Sequence, residues 1–78
     1  MATTLTLNKR GFDRACERAQ VFGAEAIAAH MQINRSTYRR VRSGQLAPGP
    51  RFIASALAAF PAFTFEELFT IATKDVAA

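Results

Sequence analysis

The segment "GAEAIAAHMQINRSTYRRVRSG", residues 23–44, contains two short helical patterns that are separated by only three residues, "QIN". Asn34 is a favoured N-cap for the second helix, and Gly44 is a favoured residue just after its end. Two helices joined by so short a connection must cross at a steep angle, which predicts a helix-turn-helix. The residues predicted to face inward are Ala24, Ile27, Ala28, Met31, Tyr38 and Val41.

The second helix of the pair is strongly basic. Residues 35–42 include four arginines and no acid, and no acidic residue occurs between Glu25 and Glu66. Such segregated positive charge is typical of a protein that binds a polyanion, although a solvated face without a partner is the alternative. The face opposite the apolar positions is predicted to display Arg35, Ser36, Arg39, Arg40 and Ser43.

Length and composition limit the function classes. The chain has 78 residues, of which 50% are hydrophobic, and this is enough for one small domain with a single core. One cysteine and one histidine cannot form an internal disulfide or a closed zinc site, so we expect an intracellular protein without metal or cofactor. No apolar run approaches the roughly 20 residues that span a bilayer, and the first residues lack the order of a signal peptide.

The flanking sequence adds three more predicted helices. A first helix starts at Lys9 after a cap at Asn8 or Thr6, a fourth runs from Pro50 to about Phe60, and a fifth follows Thr64. Thr64 with Glu67 forms the pattern of a capping box, and the fifth helix is expected to continue to about Thr73. The predicted inward residues of the first and fourth helices are Phe12, Ala15, Cys16, Ala19, Phe22, Ile53, Ala56, Leu57 and Phe60.

Five helices and no strand predict an all-α fold. Residues 1–8 alternate Thr and Leu over too short a stretch for a strand that is stable alone, so we expect an extended N-terminal arm. The domain itself covers residues 9–73, and residues 74–78 form a short tail.

The ordered pattern of residues 23–44 resembles the lambda-type repressor and Cro family of helix-turn-helix proteins, without a gap. The resemblance extends through the flanking helices to residues 9–72, and implies a compact domain like the small all-helical Cro proteins of phages. It also implies sequence-specific binding of double-stranded DNA through the major groove. The residues that carry it are Ile27, Ala28, Met31, Ile33, Tyr38, Val41, the "NRST" start of the second helix and Gly44.

The resemblance also implies roles for single residues. Arg35, Ser36 and Arg40 would point at base edges, and an arginine can donate two hydrogen bonds to guanine, which predicts a G·C-containing half-site. Arg51, which lies in the acid-free interval, is predicted to contact phosphate. The residues expected near phosphates or at the helix start are Asn34, Thr37, Arg39, Arg42 and Ser43.

The chain departs from the family pattern at four places. Ala24 replaces a glutamine that often touches a phosphate, Gln32 replaces a turn glycine, and Tyr38 replaces an aliphatic residue. Where many members pair an arginine of the first helix with a glutamate of the recognition helix, this chain has Glu17 and Arg42. We therefore predict a Glu17–Arg42 salt bridge with the signs exchanged; two unrelated surface charges are the alternative.

The sequence does not indicate an enzyme. Cys16 lies on an apolar stripe without a base to activate it, and His30 is expected on the surface or near a phosphate. The resemblance implies a Cro or immunity-type repressor of a phage or mobile element, which occupies an operator in the bacterial cytoplasm at the nucleoid. No membrane or small-molecule substrate is expected. An antitoxin-like protein and an accessory factor of recombination remain alternatives that use the same motif.

The C-terminal part is rich in apolar residues. They exceed what one short helix can bury, so they form either a homodimer contact or the closing part of the monomer's core. These residues are Phe63, Phe65, Leu68, Phe69, Ile71 and Val76.

Overall fold

A computed structural model describes residues 2–74 and shows five helices together with a two-stranded antiparallel sheet. The helices form the body of the domain, and the two strands bring the N-terminal and C-terminal segments together. In chain order the elements are β1 (Ala2–Leu7), α1 (Lys9–Ala19), α2 (Ala24–Met31), α3 (Arg35–Ser43), α4 (Pro50–Ala59), α5 (Phe65–Leu68) and β2 (Phe69–Lys74).

The all-α prediction was wrong, because both ends of the described chain are strands. β1 pairs with β2 from Ala2 opposite Lys74 to Leu7 opposite Phe69. The Thr/Leu alternation of residues 1–8 is too short to hold a strand alone, and β2 supplies the partner that it needs. The expected N-terminal arm is therefore a paired strand. Of the predicted tail, Lys74 is the last residue of β2, and residues 75–78 lie outside the described residues.

The predicted start of the fifth helix is confirmed, but its predicted extent was wrong. The Thr64 side chain accepts a hydrogen bond from the backbone N–H of Glu67, and the Glu67 carboxylate accepts one from the backbone N–H of Thr64. The helix ends at Leu68, because Phe69 already has an extended backbone with φ −133° and ψ 151°. The β-branched residues that follow Phe69 favour a strand over a further helical turn.

The predicted caps of the other helices are confirmed. The Asn8 side chain accepts a hydrogen bond from the backbone N–H of Gly11, and the Asn34 side chain accepts one from that of Ser36. Pro50 occupies the first turn of α4, where its missing N–H costs nothing. Gly44 ends α3 with φ 86°, a left-handed conformation that glycine adopts without strain because it has no Cβ.

Phe12 is at the centre of the core. Its fully buried ring contacts Tyr38 from α3 and Phe60 from the end of α4, with ring centroids 5.9 and 5.3 Å away. The apolar face of the sheet closes the same core, since Leu7 and Phe69 are buried. The other buried core residues are Ala15, Cys16, Ile27, Ala28, Met31, Val41, Phe52, Ala56 and Leu68.

Several residues predicted to face inward do not. Ala19 is exposed and Phe22 is 62% exposed, because α1 ends at Ala19 and Gln20 turns the chain with φ 58°. In α4, Phe52 and the predicted Ala56 are buried, whereas Ile53 and Leu57 are only partly buried.

The C-terminal apolar residues divide between core and surface. Phe63 and Phe65 are partly buried, Leu68 and Phe69 belong to the core, and Ile71 is 61% exposed. The remaining residue of that set, Val76, lies outside the described residues. No helix within residues 2–74 is long and apolar enough to cross a membrane.

Candidate nucleic-acid interface

α2 and α3 pack against each other and are joined by a tight turn. Gln32, at the position of the family's turn glycine, adopts φ 60° and ψ 42°, and its backbone N–H is directed at the carbonyls of Ala28 and Ala29. A glutamine in the left-handed region is strained, and the hydrogen bonding at the end of α2 compensates for part of that strain. Of the two outcomes open for this position, Gln32 therefore accepts a positive φ.

The buried face of α3 fixes which side chains project from the domain. Tyr38 and Val41 are each only 3% exposed and anchor the helix to the core. Because residues 3 and 4 apart lie on the same side of a helix, the opposite side is left to solvent. The five residues predicted for that face are all exposed: Arg35, Ser36, Arg39, Arg40 and Ser43.

One flank of α3 meets the start of α4. Asn34, Thr37 and Arg51 line one cleft of about 270 Å³ between these two helix starts. Arg51 is exposed at the first turn of α4. The structure thus brings the predicted phosphate contact Arg51 next to two residues predicted to act at the start of the recognition helix.

The other flank of α3 meets the N-terminus of α2. A cleft of about 610 Å³ there is lined by Phe22, Glu25, Arg35 and Arg39, among others. The Glu25 carboxylate lies 3.7 Å from the Arg35 guanidinium, but both side chains are largely exposed, so this ion pair holds Arg35 only weakly. Glu25 was not predicted as part of this surface, because an acid in the first turn of α2 indicates only that the helix is stabilised.

Two hydroxyl groups on α3 already have partners. Asn34 Oδ1 accepts hydrogen bonds from the backbone N–H and the hydroxyl of Ser36, at 2.9 and 2.7 Å. The hydroxyl of Ser43 donates to the backbone carbonyl of Arg40 at 3.2 Å. Both serines keep an oxygen that can accept a bond, and the amide NH₂ of Asn34 remains a donor.

No family model, curated protein or solved structure matches this chain. The relation to lambda-type repressors and Cro proteins remains a prediction from residues 23–44.

The predicted Glu17–Arg42 salt bridge was wrong, because Arg42 pairs with Asp13. Arg42 Nη2 donates a hydrogen bond to Asp13 Oδ2 at 3.0 Å, and Arg42 Nη1 lies 2.7 Å from Asp13 Oδ1 in the same salt bridge. The guanidinium also donates to the Tyr38 hydroxyl at 3.4 Å, which turns it toward the buried side of α3. The hydrogen bond to Asp13 raises the pKa of Arg42, and burial raises the pKa of Tyr38. Arg42 therefore joins α3 to α1 and supplies the partner that the buried tyrosine needs.

We expect the Asp13–Arg42 pair to show measurable coupling in a double-mutant cycle. Both terminal guanidinium nitrogens lie close to the carboxylate and Arg42 is partly buried, so we expect about 0.5–1 kcal/mol of coupling in the free energy of unfolding. Urea denaturation of D13A, R42A and the double variant measures it. The matched control is the cycle of Glu17 with Arg42, for which coupling close to zero is expected. Equal coupling in the two cycles would contradict the pairing.

The surroundings of Cys16 and His30 give both side chains a structural role. Cys16 is buried between α1 and the helix pair, and desolvation by burial raises the pKa of its thiol to about 11. A thiol that stays protonated at neutral pH is a poor nucleophile. His30 Nε2 lies 3.0 Å from the carbonyl oxygen of Ala59 and links α2 to the end of α4. Within residues 2–74 no group of three or more His, Cys, Asp or Glu side chains could hold a metal ion.

Proposed function

We propose that this protein binds double-stranded DNA sequence-specifically by inserting α3 into the major groove. The observation that supports the proposal best is the exposed face of α3, on which Arg39 and Arg40 project while Tyr38 and Val41 hold the helix to the core. A helix of this shape fits the major groove, and the guanidinium groups are well suited to phosphates and guanine edges.

The roles of the residues follow from their places on the helix. Arg35, Ser36 and Arg40 contact base edges, and an arginine bidentate to guanine discriminates by roughly 1–3 kcal/mol. We assign Arg42 a structural role and not a DNA contact, because its guanidinium already contacts Asp13 and Tyr38. The proposed contacts to phosphate or at the helix start are Asn34, Thr37, Arg39, Ser43 and Arg51.

The biological role that this binding supports is repression by operator occupancy. A small domain bound in the major groove blocks polymerase or a competing regulator without any catalysis, as the resemblance to Cro and immunity repressors of phages and mobile elements implies. We accordingly propose no enzymatic activity and a location on the nucleoid in the bacterial cytoplasm. An antitoxin-like protein or a recombination accessory factor would use the same helix, and selection of bound duplexes, DNA-bending assays and a search for a co-purifying protein separate these roles.

Substitution of two arginines tests the proposed roles. We expect R40A to relax base preference at one position of the half-site, at a cost of about 1–3 kcal/mol, because it removes a contact to a base edge. R51A should instead weaken binding by a similar factor for all sequences, because a phosphate carries no sequence information. Selection of bound duplexes from a random DNA pool, followed by titration of the selected and scrambled sites, measures both effects.

The same selection experiment can also contradict the proposed roles. Recovery of sites with A·T pairs alone would count against Arg35 and Arg40 as contacts to guanine. Recovery of no common sequence, together with strong bending of bound DNA in electrophoretic assays, would favour the accessory factor of recombination. Failure to bind any duplex, together with a protein that co-purifies with the chain, would favour the antitoxin.

A further inference from the structure

Glu25 is an acidic side chain on the rim of the surface that is proposed to bind DNA. It lies in the first turn of α2 and lines one cleft with Arg35 and Arg39 of α3. Its Oε2 atom is 3.7 Å from Nη1 of Arg35. From the start of α2 to the end of α4 the sequence contains no other acid. A carboxylate in this place opposes the attraction for a polyanion, so affinity alone gives no reason for it.

A structural role accounts for Glu25 only in part. An acid in the first turn interacts favourably with the N-terminus of a helix, and Gly23, the N-cap of α2, has no side chain that could cap it. That role requires a negative charge in the first turn of α2. It does not require the carboxylate to lie next to Arg35, which is the first residue of the proposed recognition helix.

The contact with Glu25 leaves the base-reading edge of the Arg35 guanidinium unused. The carboxylate lies next to Nη1, whereas the parallel N–H groups of Nε and Nη2 form a different edge of the same group. Two parallel N–H groups can bind O6 and N7 of a guanine. Arg35 can therefore keep its carboxylate neighbour while it contacts a guanine, because the guanine edge carries no net charge.

A phosphate is a different partner for Arg35, because it is an anion. A guanidinium binds phosphate and carboxylate with the same fork of N–H groups, so a phosphate is the best partner left to Arg35 on a wrong sequence. That phosphate must approach the Glu25 carboxylate, and two like charges about 4 Å apart repel each other even in water. On the right sequence no second anion has to approach Arg35. The carboxylate therefore costs more affinity on wrong sequences than on right ones.

We propose that Glu25 is a specificity-determining residue, whose carboxylate disfavours a phosphate as the partner of Arg35 and so favours a guanine edge. The inference rests on the proposed DNA binding and deepens it, because specificity is the difference between the affinities for right and wrong partners. Glu25 lowers the affinity for every duplex, and it lowers the affinity for wrong duplexes more.

Fluorescence anisotropy titration of E25Q with the selected duplex and with a scrambled duplex of the same base composition tests the proposal. We define the specificity ratio as the affinity for the selected duplex divided by that for the scrambled one. At about 50 mM salt, where screening is weak, E25Q should bind the scrambled duplex about five- to tenfold more tightly than the wild type does. Its affinity for the selected duplex should change by less than about twofold, so the specificity ratio should fall about three- to tenfold.

Two controls separate this role from net charge and from helix stability. E17Q removes the same charge from an exposed position of α1, and it should leave the specificity ratio unchanged. In an R35A background, E25Q should also leave the ratio unchanged, because the repulsion that remains is common to all sequences. Circular dichroism spectra and urea denaturation establish that each variant is folded.

The proposal is overturned if E25Q leaves the specificity ratio unchanged, if E17Q lowers it equally, or if E25Q still lowers it in the R35A background. A wild type that binds no duplex, or that selects no common sequence, contradicts the proposed function itself. A wild type that selects G·C-containing sites, together with an E25Q variant of equal specificity, contradicts only the role of Glu25 and leaves it a helix-stabilising residue.

Discussion

Affinity for operator DNA is expected to fall by about 10³–10⁵ between 50 and 200 mM salt, if two copies together make roughly six to ten phosphate contacts. Each cationic side chain that neutralises a phosphate releases condensed counterions, and added salt opposes this release. Arg39 and Arg51 are exposed and lie on either side of the helix axis of α3, where the strands of a duplex would pass. Fluorescence anisotropy of a labelled duplex, titrated with the protein at several salt concentrations, measures the slope of log affinity against log salt concentration.

The slope of log affinity against log salt also measures the number of phosphate contacts. R51A should reduce the slope of log affinity against log salt by about 1, because it removes one phosphate contact. E17A is a matched control, since Glu17 is an exposed residue of α1 with no role in the proposed interface. A flat salt response of the wild type would contradict the DNA-binding proposal and would favour a protein partner. A normal wild-type slope that R51A leaves unchanged would contradict only the role of Arg51.

The helix starts could be predicted because they are determined locally. A cap needs one side chain and a backbone N–H two or three residues away, so Asn34 and the Thr64–Glu67 box are visible in short stretches of sequence. The exposed face of α3 was predictable for the same reason, since the spacing of Tyr38 and Val41 alone sets the buried side.

The sheet could not be predicted in this way because its cause is not local. β1 is stabilised by residues at the other end of the chain, and neither strand is long enough to form alone. The capping box at Thr64 favours a helix over the residues that follow, and nothing in that local signal sets the end at Leu68. The alternation of Phe69, Thr70 and Ile71 is compatible with a strand, but our sequence prediction assigned these residues to the fifth helix.

The partner of Arg42 shows a second limit of sequence reasoning. Asp13 and Glu17 are four residues apart on one face of α1, so both are within reach of a helix that crosses it. The choice depends on the direction of the guanidinium, which the hydroxyl of Tyr38 sets through its own hydrogen bond. The contact with Tyr38 is local to α3, whereas the carboxylate of α1 that Arg42 meets is decided only when α1 packs against α3.

Substitution of Gly11 by alanine is expected to destabilise the fold by about 3 kcal/mol, the upper part of the range for overpacked sites. Gly11 lies in the first turn of α1, where alanine would ordinarily favour the helix by up to about 1 kcal/mol. A Cβ at this position, however, would overlap the backbone carbonyl oxygen of Glu67 in α5. Since that atom belongs to the backbone, α5 must move away and Leu68 must leave the core, where it is fully buried.

Urea denaturation of G11A measures the loss in the free energy of unfolding, and G49A is the matched control. A Cβ at Gly49 meets no atom within 4 Å, and its φ of −90° suits any residue, so a change within about 0.5 kcal/mol is expected. If G11A lowers the free energy of unfolding, the overlap with Glu67 outweighs the gain in helix propensity; if G11A raises it, helix propensity outweighs the overlap. A G11A variant as stable as the wild type would show that α5 does not pack against α1 as described. Because α5 leads directly into β2, such a result would also count against the described pairing of β1 with β2.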